Sequence, residues 1–323
     1  MQYIKFFSEC SEDLNELGGK GSNLIVLCKD NLNVPPGFIL TTKAYKEFLK
    51  NSMYSKELME LMKNDFKVQE VLELSKGITS YLRKTQLPHK ITIEIENAYQ
   101  KLLLDRKSDI SFAVRSSATI EDLDFASFAG QANSYLYQNS YNDIKESIKK
   151  CWISLFSPSA LLYISQMKKK GANLSLKDIS MAVIIQLMVF SEISGVMFTA
   201  NVLNGNKSQI LINSNWGLGE TIADNKVVPD TLIIDKDTGE VIKRIIGRKE
   251  KISIPHPEKS CTQIIDSEKS KRDVCCLSSQ QIDMLRKIGV KIEDKYNYPQ
   301  DIEWAIMNDN LYILQTRPIT TLK

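Results

Sequence analysis

Residues 301 to 306, Asp-Ile-Glu-Trp-Ala-Ile, and 311 to 318, Leu-Tyr-Ile-Leu-Gln-Thr-Arg-Pro, flank the polar trio Asn308, Asp309 and Asn310. Two runs of branched and aromatic residues about a turn-forming centre predict a β-hairpin with side chains alternating between its faces. Asp301 and Glu303 then share a face, as do Gln315 and Arg317. A hairpin centred on Asp309 sets Glu303 opposite Gln315 and Asp301 opposite Arg317. That gathers two carboxylates, an amide oxygen and a guanidinium. Hard oxygen ligands beside a phosphate-binding arginine suit a Mg²⁺-nucleotide site. A charged edge hairpin with a surface salt bridge is the competing reading, and the segment alone fits both.

Working outward, other blocks bear on that choice. Leu17-Gly18-Gly19-Lys20-Gly21-Ser22-Asn23-Leu24 is followed by Val34-Pro35-Pro36-Gly37-Phe38. Phe112-Ala113-Val114-Arg115-Ser116-Ser117-Ala118-Thr119 runs through Glu121-Asp122 to Phe125-Ala126-Ser127-Phe128-Ala129-Gly130-Gln131. Then come Gln186-Leu187-Met188-Val189 with Ser194-Gly195-Val196-Met197-Phe198-Thr199-Ala200, and Trp216-Gly217-Leu218-Gly219-Glu220 with Val228-Pro229-Asp230. Together with the terminal hairpin, and in this order over nearly the whole chain, they resemble the nucleotide-binding domain shared by pyruvate phosphate dikinase, phosphoenolpyruvate synthase and rifampicin phosphotransferase. The resemblance implies an α+β fold of the ATP-grasp type, with two subdomains clamping a nucleotide.

Length and composition agree. A chain of 323 residues can bury a sizeable core and suggests about two domains. Its 42 basic and 39 acidic residues leave a net charge of +3, which gives no electrostatic case for nucleic acid or an anionic membrane as partner. The local run Arg248, Lys249, Lys251 reads as a solvated face. The N-terminal apolar stretch is too short for a signal peptide, and no run reaches membrane-spanning length, so a cytoplasmic protein is expected. The six cysteines lack Cys-x-x-Cys spacing and read as reduced filler. His89 and His256, each beside a proline, read as helix-start or loop residues.

Periodicity places strands near 3–7, 38–40, 111–116 and 133–137, with helices over 19–30, 42–50, 140–155 and 158–169. Residues of about 53–106 read as a helical insertion. Beyond 179 the texture turns to β, with strands near 180–190, 193–199, 208–214, 230–235 and 241–246. Ile254 to Ser270 reads as loop and 279–294 as helix. The expected subdomains are 1–177 and 178–323.

Several residues then acquire candidate roles. Gly18 and Gly19 let the chain turn tightly and set Lys20 near a helix start, where its ammonium can meet a phosphate; an ordinary surface lysine is the alternative. Arg115, at the end of an apolar strand entering a Ser116-Ser117 turn, can make bidentate phosphate contacts, or only a strand-end salt bridge. The small-residue loop from Phe125 to Gln131, including Gly130, can fold over phosphates or form a plain hairpin. Ser134 keeps a hydroxyl where similar proteins commonly have Thr. Gln186 interrupts an apolar strand; the resemblance places it beside the adenine, and an amide paired to a loop is the alternative. Trp216 to Glu220 looks like a further turn around the nucleotide, unless Trp216 is simply core.

The resemblance implies phosphoryl transfer from ATP, with Lys20, Arg115 and Arg317 neutralising phosphate charge and Mg²⁺ held by Glu303 and Gln315. Asp301 would be a second carboxylate at the metal or the partner of Arg317. In such families ATP becomes AMP, and the β-phosphoryl group passes to a histidine on a swivelling carrier domain. Neither Pro88-His89-Lys90 nor Pro255-His256-Pro257 resembles a carrier segment, so a phosphohistidine domain in trans or in a parent polypeptide is the expected partner. Ala200-Asn201-Val202 and Asp224-Asn225-Lys226 also depart from the pattern. A self-contained ATP-grasp kinase or ligase and a non-catalytic nucleotide-binding module remain as alternatives. Joint presence of Lys20, Arg115, Glu303, Gln315 and Arg317 disfavours the last.

Overall fold

The computed structural model of the protein describes residues 2–9, 11–50, 68–104, 110–119, 134–169, 179–320 and 322. It is an α+β structure on antiparallel sheets, and the chain divides into two compact units. The first comprises Met1–Ile25 and Pro36–Leu187, the second Val26–Pro35 and Met188–Lys323. The division expected at 177/178 therefore lies later, because the strand over Met181–Leu187 is hydrogen-bonded into the first sheet.

In the first unit, β1 (Ile4–Phe6) and α1 (Leu14–Lys29, which runs on into the second unit) precede β2 (Gly37–Leu40) and α2 (Thr42–Lys50). Then come α3 (Val68–Lys84), α4 (His89–Leu103), β3 (Phe112–Ala118), β4 (Ser134–Gln138), α5 (Tyr141–Ser154), α6 (Pro158–Lys169) and β5 (Met181–Leu187). The two helices α3 and α4 are the described part of the expected insertion; 53–67 and 105–106 lie outside the described residues. The sheet order is β1-β2-β5-β3-β4. Central β5, Met-Ala-Val-Ile-Ile-Gln-Leu, is buried up to its last residue, as a strand covered on both faces must be. On α5, Ile144, Ser147, Ile148, Cys151 and Trp152 form one buried stripe at helical spacing. Ser140 caps this helix, its Oγ accepting from the Asp143 amide at 3.1 Å. Trp152 packs on Phe48 at 5.0 Å between centroids and donates its indole N–H to the Met181 carbonyl at 3.0 Å. Truncating so large a buried ring costs about 3–5 kcal/mol, which makes it a pin of this core.

The second unit runs through β6 (Ile193–Phe198), β7 (Gln209–Trp216), α7 (Glu220–Ala223), β8 (Asp230–Asp235), β9 (Val241–Ile245), β10 (Lys251–Pro255) and β11 (Thr262–Asp266). It closes with α8 (Lys269–Arg272), α9 (Ser279–Tyr296), β12 (Gln300–Met307) and β13 (Asn310–Pro318). Its main sheet has the order β13-β12-β6-β7-β8-β9. Ser278 and Gln281 form a capping box that starts α9. Gly195 of β6 lies beside Trp304 of β12, and a Cβ at 195 would stand 2.5 Å from the indole ring, so only glycine leaves room for this buried side chain. The segment expected to be loop from Ile254 to Ser270 contains most of a hairpin, β10 pairing with β11 from Lys251↔Asp266 to Pro255↔Thr262. Pro255 obscured this in the sequence, but at the last pair of a two-stranded ribbon its missing N–H costs no central ladder bond. The short segment Val26–Pro35 belongs to this unit: Asn33 O accepts from the Ile313 amide at 3.0 Å, and Asn33 Nδ2 donates to Leu311 O at 2.9 Å.

Candidate functional site

In the first unit the glycine-rich block opens with a break in α1. Gly18 has φ 71° and ψ 175°, a left-handed conformation that a side chain disfavours, and a Cβ there would stand 2.2 Å from the Ser117 carbonyl. The break sets Lys20 against β3, where its Nζ donates to the Ser116 carbonyl at 3.3 Å. Arg115 lies within β3 rather than at its end, because the ladder with β5 continues through Ser116, Ser117 and Ala118. The expected Ser116-Ser117 turn is therefore strand.

Register sorts this sheet into two faces. Val114 pairs with Ile185 and Tyr135, all on the face that packs into the helix-covered core. Arg115 pairs with Ser134 and Ile184, and Ala113 with Gln186, so Arg115, Ser134 and Gln186 share the other face. Gly21 approaches that face as well, with Ile39 and Ser117 as neighbours. Lys20 and Arg115 are each only 9% exposed, so their charges sit where water cannot fully solvate them. Gly130 and the expected loop from Phe125 to Gln131 lie outside the described residues.

In the second unit the terminal hairpin brings its polar residues together. Asp301 pairs with Arg317 and Glu303 with Gln315, all on one face of β12 and β13. The turn is tighter than a three-residue centre: Met307 pairs with Asn310, and Asn308 and Asp309 have φ 49° and 59°, the left-handed pair of a two-residue hairpin turn. A β-bulge then restores the expected register, since Trp304 pairs with Ile313 but Glu303 with Gln315, leaving Leu314 as the extra residue.

Asp301 Oδ2 accepts from both Nε and Nη2 of Arg317 at 2.8 Å. Burial pushes the Asp301 carboxyl above its ordinary range, against the pull of Arg317, and the Glu303 charge adds to the rise. The Gln315 Oε1 atom is buried and has no hydrogen-bond partner among the described residues. An unpaired buried amide oxygen beside two carboxylates is a donor set that suits a hard cation. Among the described residues there is no cluster of three His, Cys, Asp or Glu side chains fit for a metal, so an ion here would draw on that amide.

Other polar residues of the second unit are tied to its own elements. Trp216 donates its indole N–H to Lys271 O at 2.9 Å, and Glu220 accepts from Ser253 Oγ at 2.6 Å. Lys249, expected on a solvated face, is fully buried: its Nζ meets Asp230 Oδ1 at 2.5 Å and the Gly247 carbonyl at 2.8 Å. Asp230 also accepts from the Gly247 and Cys276 amides and the Cys276 thiol. Nothing in the run Arg248 to Lys251 singled out Lys249, whereas Pro229-Asp230 was visible as part of a block. No helix among the described residues is long and apolar enough to cross a membrane.

The family model described as the pyruvate phosphate dikinase AMP/ATP-binding domain matches residues 14–323. A probable phosphoenolpyruvate synthase of Pyrococcus horikoshii is 37% identical over 100% of this chain and 44% of its own length. A phosphoenolpyruvate synthase of Pyrococcus furiosus is 36% identical with the same coverage, and an uncharacterized phosphotransferase of Bacillus subtilis is 35% identical over 99% of this chain and 35% of its own length. The chain thus spans less than half the length of these relatives.

Proposed function

Because the chain belongs to the pyruvate phosphate dikinase AMP/ATP-binding domain family, we propose that it is the part of a dikinase-type phosphotransferase that binds Mg-ATP and donates the phosphoryl group. The ATP-grasp type of fold is part of this reading and rests on the family and on the two antiparallel-sheet units. The observation that carries it is the hairpin face on which Asp301, Glu303, Gln315 and Arg317 meet beside an unpaired buried amide oxygen.

Each residue takes a role that its chemistry allows. Lys20 and Arg115 bind phosphate oxygens, and Arg317, held by Asp301, neutralises charge that develops there during transfer. Gln186 offers its amide to the adenine edge, and Ser134, with Gly130 from outside the described residues, donates to phosphates. Glu303 and Gln315 would hold Mg²⁺, with Asp301 as a further carboxylate. Such an ion, once bound, screens the polyphosphate and fixes its orientation. The acceptor is read as a histidine of a carrier domain, in trans or in the parent polypeptide: the β-phosphoryl group ends on that histidine, water takes the γ-phosphate as inorganic phosphate, and AMP leaves, in the cytoplasm. The similarity to proteins named phosphoenolpyruvate synthase favours formation of phosphoenolpyruvate as the reaction of the parent protein.

The test incubates the chain with β-labelled ATP, with and without a histidine-bearing domain supplied in trans. AMP and acid-labile phosphoprotein should form only with that domain. Robust ADP formation with a small acceptor and no second domain would overturn the reading in favour of a self-contained kinase.

A further inference from the structure

Ser117 is fully buried, and its hydroxyl is used twice. It donates to the Leu17 carbonyl at 2.8 Å and accepts from the Gly21 amide at 3.0 Å. In an unbroken helix those two groups would bond each other, since an amide reaches the carbonyl four residues before it. The break at Gly18 opens that turn, and the serine hydroxyl stands in the gap as acceptor for one group and donor to the other. Lys20 lies between the two anchored residues, and its ammonium is bonded to the carbonyl of Ser116, the residue next to Ser117. Contact is close enough that a Cβ on Gly18 would fall 2.4 Å from the Ser117 Oγ. The turn carrying Lys20 is thus fastened to β3 on both sides of the lysine by one hydroxyl.

We infer that Ser117 is a positioning residue for Lys20, setting the place of its ammonium without touching the nucleotide. The inference rests on the reading of Lys20 as a phosphate ligand. A hydroxyl is needed because the gap requires a donor and an acceptor on one atom. Alanine supplies neither and leaves a buried carbonyl and amide to find each other across the break.

A double-mutant cycle on the full chain tests this. Calorimetric affinities for Mg-ATP and for adenosine are measured for the parent, Lys20→Ala, Ser117→Ala and the double variant. Each single change should weaken Mg-ATP binding, Lys20→Ala by roughly thirtyfold and Ser117→Ala by roughly tenfold, while adenosine affinity stays at the parent value, and the double variant should bind Mg-ATP no worse than Lys20→Ala alone. Losses that simply multiply, or unchanged Mg-ATP affinity in Ser117→Ala, overturn the positioning role and leave the role of Lys20 standing. Unchanged affinity in Lys20→Ala overturns both. If Ser117→Ala does not fold, the same cycle is run with Ser117→Cys, whose weak donor and acceptor should give a smaller but equally non-additive loss.

Discussion

Glu303 stands opposite Gln315, one residue out of step with the pairing that the Asn308-Asp309 turn sets. Continued without a bulge, the ladder would put Leu314 opposite Glu303 and turn Gln315 and Arg317 to the face of Ile302 and Trp304, the buried one. Deleting Leu314 should therefore regularise the hairpin while keeping Glu303 opposite Gln315. Deleting Thr316 instead would drive Arg317 toward Ile302. Titrating Mg²⁺ in the presence of ATP should show metal-dependent binding kept within about tenfold in the first variant and lost in the second.

The charged groups of the candidate site should matter for ligand more than for fold. Lys20→Ala, Arg115→Ala and Arg317→Ala are each expected to weaken Mg-ATP binding by about 2 kcal/mol, the scale of a charge-assisted hydrogen bond. Glu303→Gln keeps the shape but removes a charge, so it should raise the Mg²⁺ concentration needed for half-saturation. Calorimetric titration checks all four. Equal affinities throughout would refute the assignment of these residues.

Asp230 and Lys249 make a different prediction, because neither side chain meets solvent. Lys249→Met leaves a buried carboxylate without its cation and should cost about 3–5 kcal/mol in urea unfolding. Nucleotide affinity of the folded fraction should not change. A loss below about 1 kcal/mol would mean that the pair is dispensable.

Burial raises the Tyr135 phenol to about 12 from 10.0, with Cys151 adding to the shift and Arg83 opposing it. Across that window the unfolded chain releases a proton that the folded chain keeps, so the native state binds more protons and stability falls as pH rises. Below the unfolded value this contribution is fully present. Unfolding free energy measured on either side of the window should decline less steeply for Tyr135→Phe than for the parent. Identical slopes would show that the phenol titrates as it does in water.

Much of this was legible because it depends on local pattern. Alternation in 301–306 and in 315–317 set the faces of the polar residues, and the register at Glu303 and Gln315 follows even though the turn differs: a three-residue centre and a two-residue turn plus bulge give the same pairing there. Leu314 carries no mark of a bulge, since an extra leucine in a leucine-rich strand is invisible until its partners are known. The run around Lys249 misled for a related reason. Charge density reports on average exposure, whereas the burial of Lys249 depends on Asp230, which sequence separates from it by the length of β8, a turn and β9. Ser117 sat in a recognised block, but its bonds to Leu17 and Gly21 reach across a long stretch of chain and leave no local trace.

The segment Val26–Pro35 is made early and used late. Through Asn33 it covers the open edge of β13, and through Asp30 it receives Lys291 and Lys295 of α9. On a ribosome it must therefore wait, unsatisfied, until the last strands emerge before the unit it belongs to can close. A fragment cut to begin at Met188 would lack this cover and present β13 as a bare strand edge, open to pairing with a second copy. Separating the two units for study thus calls for a graft of residues 26–35, not a single cut.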